Sequence, residues 1–420
     1  MKSQWWERST IESLQGKKLA HLVDVARAHA EHYAACTLPD EIPGGGIRSR
    51  LEALPVLTKS DIRSSPAAMR TDARMDVFAR RVTTGGTTGT PIEIWRNMQD
   101  ASIAEAAYWR AKAWRGIAPW DKGVLMQQFG KGSWYGKMRM RLIRKWDVEA
   151  FCSNETERLE IRVLLDRVRP AYLEGCVTEL LRLGEGRCLE PGRVGCVFTT
   201  GEMLYDDQRA KLEGYCQAPV SDYYGSNEVN SIAFECEEGV KHVTDEHVIL
   251  ETVNEKNEPV LGIPGRILVT DLDNVAMPLI RYELGDIGVL SNEPCACGRK
   301  LTVLKELRGR TQEAIRNRAG ESLSATYFAG RFRELQCIRR FQLIQTTLDE
   351  VRLDYEVATF GAEQEVVTIT REIKARLGAE ITVRAREVPE VKVTPRGKCP
   401  LIIGLKNTGG ASETTDRGPS

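Results

Sequence analysis

Between Val82 and Pro91 the chain reads Val-Thr-Thr-Gly-Gly-Thr-Thr-Gly-Thr-Pro, the densest chemical signal in its 420 residues. Glycine lets a backbone approach a ligand closely and adopt positive φ, and the neighbouring threonine hydroxyls add neutral donors. Successive N–H and O–H groups of this kind suit the oxygens of a phosphate. A Walker P-loop is excluded, because the required Gly-Lys-Ser/Thr ending is absent. A flexible surface loop would have the same composition. A second candidate centre comprises Cys236, His242, Cys295 and Cys297. Three thiolates and an imidazole complete a tetrahedral zinc set; with no position left for substrate, such a zinc would be structural. Four independent reduced side chains are the alternative, and His247 is a competing nitrogen donor.

Both centres need a scaffold, and the apolar spacing supplies one. It predicts an amphipathic helix from about Ile11 to Ala35 and further helices over Ala101–Trp114 and Glu155–Val168, the last capped by Ser153 or Asn154. Short apolar runs predict strands at Gly123–Gln127, Ala171–Leu173, Gly195–Phe198, Val248–Val253 and Arg266–Asp271. Their alternation through the first two-thirds predicts an α/β architecture with a largely parallel sheet. After about Gly309 the pattern changes. Helical stretches (Ala325–Leu335, Glu363–Leu377) and strand-like ones (Phe341–Thr346, Glu350–Tyr355, Ile381–Glu387) predict a small α+β domain. The Gly/Ser/Thr/Asp-rich end, Thr408 to Ser420, is expected to be a disordered tail.

Composition narrows the partners. Lys+Arg and Asp+Glu both number 59, a formal charge of zero, whereas phosphate backbones demand a surplus of cations; no nucleic-acid partner is expected. A local basic patch around Lys137, Arg139, Arg141, Arg144 and Lys145 is the one exception. No run approaches the roughly 18–20 apolar residues of a membrane span. The N-terminal Met-Lys-Ser-Gln-Trp-Trp-Glu-Arg lacks the apolar core of a signal peptide, so no membrane contact and a cytoplasmic address are expected. Eleven cysteines, an odd number, read as reduced thiols rather than a disulfide framework. Nothing in the composition opposes a homodimer.

The segment Thr83–Pro91 resembles the phosphate loop of the adenylate-forming superfamily: acyl-CoA synthetases, peptide-synthetase adenylation domains and luciferases. Further motifs of that family follow in order: Thr199-Thr200-Gly201-Glu202, Asp222-Tyr223-Tyr224-Gly225-Ser226-Asn227-Glu228, Arg281-Tyr282-Glu283-Leu284-Gly285-Asp286, Arg308-Gly309-Arg310 and Pro395-Arg396-Gly397-Lys398. They span most of the chain. The run Leu54-Pro55-Val56-Leu57-Thr58-Lys59-Ser60-Asp61-Ile62 and the Cys295-Ala296-Cys297-Gly298-Arg299 turn look like the phenylacetate-CoA ligase branch. Cys-Cys-Cys-His sites occur at matching positions in relatives of that branch, which favours zinc at Cys236, His242, Cys295 and Cys297.

The resemblance implies a large multi-sheet adenylation domain over 1–309, a small mobile lid domain over 310–407 and a tail over 408–420. It also implies a reaction. A carboxylic acid attacks the α-phosphate of ATP, pyrophosphate leaves, and the acyl group then passes to coenzyme A. An amine, a carrier-protein thiol or a coenzyme hydroxyl is the alternative acceptor of the acyl group or of AMP. Thr83, Thr84, Gly85, Gly86, Thr87, Thr88 and Gly89 would hold the β/γ-phosphates, with Gly201, Glu202, Gly225 and Ser226 also at the nucleotide. Tyr224 would pack on adenine and Asp286 would accept from the ribose hydroxyls. Glu228 would hold Mg²⁺, Arg310 would reach the ribose or phosphates, and Lys398 would stabilise charge at the α-phosphate. This chain departs from the family's usual residues at Ile92, Asn227, Gln312 and Cys399. Phe129, Trp134, Tyr135 and Tyr223 would suit an aromatic acid and equally suit packing.

Overall fold

The computed structural model describes residues 2–35, 51–71, 79–83, 92–127, 140, 142–149, 155–184, 188–310, 314–318, 322–324, 328, 335–392 and 400–405. Among these residues, packing separates a first unit ending at Gly309 from a second beginning at Arg310. The Thr84–Gly89 loop, Lys398, Gln312, the Phe129–Tyr135 segment, most of Ala325–Leu335 and the 408–420 tail lie outside the described residues.

The first unit opens with α1 (Arg8–His29) and α2 (Glu31–Ala35), so the predicted N-terminal helix is divided at Ala30. Next comes α3 (Lys59–Ser64), started by a capping box in which Thr58 and Asp61 satisfy each other's backbone N–H. A hairpin of β1 (Arg80–Thr83) and β2 (Glu93–Arg96) follows, pairing Thr83 opposite Glu93. The chain continues through α4 (Met98–Trp114), β3 (Gly123–Gln127), β4 (Lys145–Glu149), α5 (Glu155–Val168), β5 (Tyr172–Gly175), α6 (Val177–Gly184) and β6 (Cys196–Thr200). After α7 (Asp206–Cys216) it is strand-rich: β7 (Val220–Tyr224), β8 (Ala233–Glu235), β9 (Lys241–Val243), β10 (Val248–Val253), β11 (Gly265–Asp271), β12 (Tyr282–Ser291) and β13 (Val303–Arg310).

Eleven of these strands form one sheet in the order β10-β11-β12-β13-β9-β8-β7-β6-β5-β3-β4. The half from β4 to β7 is parallel, as the alternation predicted. The other half is antiparallel, which corrects the expectation of a largely parallel sheet. Its strands are joined by connections without helices, each shorter than the crossover of a dozen residues or more that a parallel pair requires.

Alternation along the parallel strands assigns each face its own cover. Leu173 and Val197 pack with Leu165, Leu180, Leu183 and Leu212 of α5, α6 and α7. Their neighbours Tyr172, Cys196 and Phe198 point the other way, towards Trp109 of α4. α5 buries Ile161, Leu165 and Val168 at near-helical spacing, so one stripe meets the sheet. Lys145 is buried too, donating to the Asp121 carbonyl at 2.6 Å, and so is no part of a surface basic patch.

The second unit contains β14 (Ala314–Arg316), β15 (Ser322–Ser324), β16 (Ile338–Thr347), β17 (Glu350–Val357), α8 (Ala362–Leu377), β18 (Thr382–Glu387) and β19 (Ile402–Ile403). Four strands form a mixed sheet in the order β18-β17-β16-β19, and α8 lays Ile369, Ile373 and Leu377 against Leu343, Val351 and Leu353.

Candidate active site

Two of the family-like motifs meet where the end of β7 approaches β12, which is not its neighbour in the sheet. Tyr224, the last residue of β7, donates its hydroxyl to Asp286 Oδ2 at 2.8 Å, and both residues are buried. Gly285 takes φ +85 immediately before Asp286, a conformation that glycine adopts without penalty. Beyond Tyr224 the chain turns tightly. A Cβ on Gly225 would stand 2.5 Å from the Tyr223 hydroxyl, so a larger residue is excluded there. Ser226 and Val229 close the turn: Ser226 N–H donates to the Val229 carbonyl, and Val229 N–H donates to Ser226 Oγ, both at 3.0 Å. The hydroxyl of Ser226 therefore builds the turn that carries Glu228 inward.

Glu228 is 7% exposed. Its Oε1 accepts from the Tyr282 hydroxyl at 3.3 Å and lies 3.9 Å from Lys59 Nζ. Lys59 also donates to the Leu284 carbonyl at 3.0 Å. Leu57 N–H donates to the Arg281 carbonyl and Glu283 N–H to the Leu57 carbonyl, which docks the start of α3 along β12. Tyr282 and Lys59 were not among the residues singled out from sequence for the site. Both lie inside quoted motifs, but their partner Glu228 is remote in sequence, so only the fold brings them together.

The remaining predicted residues are placed less centrally. Glu202, after Gly201 at φ +78, accepts from the backbone N–H of Thr178 at 2.7 Å and from its hydroxyl at 3.1 Å. Its negative charge thus sits at the N-terminus of α6, where the helix dipole favours it. Tyr223 stacks on Phe234 at 4.7 Å and accepts from Ser231 N–H, a packing role. Thr83 and Arg310 are described only in their backbones, at the ends of β1 and β13.

Cys236, His242, Cys295 and Cys297 do come together, with one ligand atom from each lying within 4.8 Å of the others. Cys236 Sγ is 3.8 Å from Cys295 Sγ, and Cys297 Sγ is 3.2 Å from His242 Nε2. The tight β8–β9 turn presents Cys236, and a turn closed by Gly298 at φ +78 presents the other thiols. Burial pushes the Cys236 thiol up to about 12 and the His242 imidazole down to about 4. Burial thus favours the neutral imidazole that a metal ligand must be, and a bound cation would favour the thiolate. His247, the competing donor, lies elsewhere, against Asp273 at 3.1 Å. The N-terminus covers the cysteine turn. Gln4 accepts from Trp114 Nε1 at 2.7 Å and from Lys300 N–H at 2.8 Å, while Arg299 lies between the Trp114 and Trp5 rings.

No protein-family model matches the chain. It is 23% identical to protein CapK of Staphylococcus aureus over 413 residues, covering 93% of this chain and 89% of that one. It is 24% identical to a phenylacetate-coenzyme A ligase of Thermus thermophilus over 435 residues, covering 95% and 96%. Among solved structures, 2-hydroxyisobutyryl-CoA ligase in its postadenylation state superimposes with a TM-score of 0.76 at 18% identity, over 96% of this chain and 92% of that one. O-succinylbenzoate coenzyme A synthetase from Bacillus subtilis, solved with ATP and a magnesium ion, gives 0.53 at 14% identity, over 76% and 68%. The fold is that of these adenylate-forming enzymes, and the sequence fits the phenylacetate-CoA ligase-like branch to which its full-length relatives are similar.

Proposed function

We propose that this chain activates a carboxylic acid with ATP as an acyl-adenylate and then passes the acyl group to coenzyme A. The observation that carries this reading is the convergence of Tyr224, Asp286, Glu228, Tyr282 and Lys59 at the ends of β7 and β12. A solved complex of the neighbouring 2-hydroxyisobutyryl-CoA ligase holds 2-HIB-AMP and CoA, which supports the same two steps here. In the first, a carboxylate oxygen attacks the α-phosphorus and the bond to the β-phosphate breaks, releasing pyrophosphate. In the second, the coenzyme A thiol, losing its proton, attacks the acyl carbon and AMP leaves.

The first step joins two anions, so positive charge and donors must stand where charge collects. Asp286, oriented by the Tyr224 hydroxyl, offers its carboxylate to the ribose hydroxyls. Glu228 suits a hard cation, and bound Mg²⁺ would neutralise the phosphates. Tyr282 and Lys59 hold that carboxylate in place. Thr83, Thr84, Thr87 and Thr88 with Gly85, Gly86 and Gly89 take the β/γ-phosphates, Arg310 takes the ribose or phosphates, and Lys398 meets the α-phosphate. Cys236, His242, Cys295 and Cys297 hold a structural Zn²⁺. A tetrahedral ion with Zn–S bonds of about 2.3 Å sets its sulfurs about 3.8 Å apart, which is the Cys236–Cys295 separation.

Pyrophosphate release, followed across aryl, fatty and amino acids with and without coenzyme A, tests the reading. An acid whose turnover requires coenzyme A is expected. Turnover that ignores coenzyme A would overturn the second step and favour an amine, a carrier-protein thiol or a coenzyme hydroxyl. Lys398→Ala should nearly abolish pyrophosphate release while ATP still binds; an unchanged rate would remove its role.

A further inference from the structure

β2 ends in a buried ionic cluster. Arg96 donates from Nε to Asp100 Oδ2 at 2.5 Å and from a terminal nitrogen to Oδ1 at 2.9 Å, the two-point geometry that makes such pairs strong. Behind Asp100 lies His247, its Nε2 3.7 Å from Asp100 Oδ1. The other ring nitrogen is 3.1 Å from Asp273 and 3.8 Å from Asp271 Oδ1. Lys18 of α1 reaches Asp273 at 2.7 Å. Asp100, His247 and Asp271 are fully buried.

Three carboxylates, Asp100, Asp271 and Asp273, face two cations, Arg96 and Lys18, so the cluster is neutral when it holds one further proton. The Asp271 turn reaches β2 a second time. Asp271 Oδ1 accepts from the N–H groups of Asp273 and Asn274, and Asn274 Nδ2 donates to the Trp95 carbonyl at 3.0 Å. β2 is therefore held at two successive residues to the end of β11 and to the first turn of α4.

β2 has one other end, Glu93, opposite Thr83 of β1. The Gly/Thr segment joins those two strands. We propose that Arg96, Asp100, His247 and Asp271 are positioning residues that anchor the β1–β2 hairpin and so set the Gly/Thr segment for the β- and γ-phosphates of ATP. This rests on the assignment of that segment as the phosphate loop. A movable hairpin would lose phosphate contacts and leave untouched the adenosine contacts made from Tyr224 and Asp286, because those stand on β7 and β12.

The test compares equilibrium binding of ATP with that of AMP to the full-length protein. Asp100→Asn should weaken ATP by about tenfold and AMP by less than about twofold, tenfold being about 1.4 kcal/mol. Arg96→Lys, which keeps the cation and loses the two-point grip, should shift ATP alone in the same direction; it carries the test if Asp100→Asn does not fold. Equal weakening of both ligands, or of neither, would overturn the proposal. So would a divalent metal ion that is lost in His247→Gln and retained in Cys297→Ser. The phosphate-loop assignment is checked separately by Thr87→Ala with Thr88→Ala in a chain with the cluster intact. If ATP binding is unchanged there, the loop assignment fails whatever Asp100→Asn shows.

Discussion

If the proposed zinc is bound, replacing Cys297 by serine should abolish its binding and lower the melting temperature, and the size of that fall can be worked out from the chain. The four donors link the β8–β9 turn to the Cys295–Gly298 turn. In the chain-entropy account of a cross-link, closing the roughly 50 residues between His242 and Cys295 contributes about 4 kcal/mol. Unfolding entropy is about 2.1 cal/mol/K per residue, so a unit spanning Met1–Gly309 has about 0.65 kcal/mol/K in all. The ratio is a fall of about 6 °C. Serine is close in size to cysteine and is a poor zinc ligand, so the packing around Trp114 and Arg299 is preserved and the change isolates the metal. Metal analysis of protein purified without chelator should find one zinc per chain in the unmodified protein and little in the variant. Differential scanning calorimetry should show the shift. Adenylation measured well below the transition should be unaffected, because four protein ligands leave no site for substrate. Zinc-free unmodified protein would refute the reasoning, as would a variant that keeps both its metal and its melting temperature.

Two further predictions concern the active site and the ionic cluster. Tyr224→Phe removes one donor from the buried Asp286 carboxylate, an interaction of about 1.5–3 kcal/mol for a charged acceptor; the KM for ATP should rise by about tenfold or more, and steady-state kinetics with an unchanged KM would dismiss the orienting role. Burial, and then the charge of Asp100, raise Asp271 from 3.8 to about 7. Burial alone would lower His247, and the charge of Asp271 with the hydrogen bond that the ring donates to Asp273 outweighs it and raises it. The folded chain therefore keeps protons on this cluster that the unfolded chain has released; the stability Asp271 contributes falls as pH rises from about 4 to about 7, and that of His247 falls from about 6.5 upward. Arg96, Asp100, Asp273, Lys18 and Tyr223 face the same groups. Thermal unfolding of Asp271→Asn should show a shallower decline across that window than the unmodified protein; parallel curves would remove the cluster from the pH response.

The segments read correctly from sequence were those whose periodicity had one interpretation. Glu155–Val168, Gly123–Gln127 and Val248–Val253 are observed with the predicted bounds. The antiparallel half of the sheet was not legible, because β8 and β9 are three residues each and show too little alternation to announce themselves. Tyr224, Glu228 and Asp286 stood out because they sit in dense local motifs. Lys59 did not, because its partner Glu228 is far along the chain.

What the sequence by itself determined is the local chemistry: a glycine-threonine segment, an ordered set of motifs, and the cysteines of a candidate metal set reduced to a choice between two histidines. Such signals survive in a string of residues because each depends on neighbours a few positions away. Only the tertiary structure decided which histidine joins the thiols. His242 lies on β9, opposite Phe234 of β8, and is carried to Cys297, whereas His247 is carried to the carboxylates at the end of β11. The same holds for Lys112, buried against Glu174 at 2.7 Å beneath the Tyr172 ring, which in the sequence reads as one more helical lysine. Burial and the pairing of distant charges are properties of the packed sheet, and a side chain's environment is fixed only when strands remote in sequence come into register.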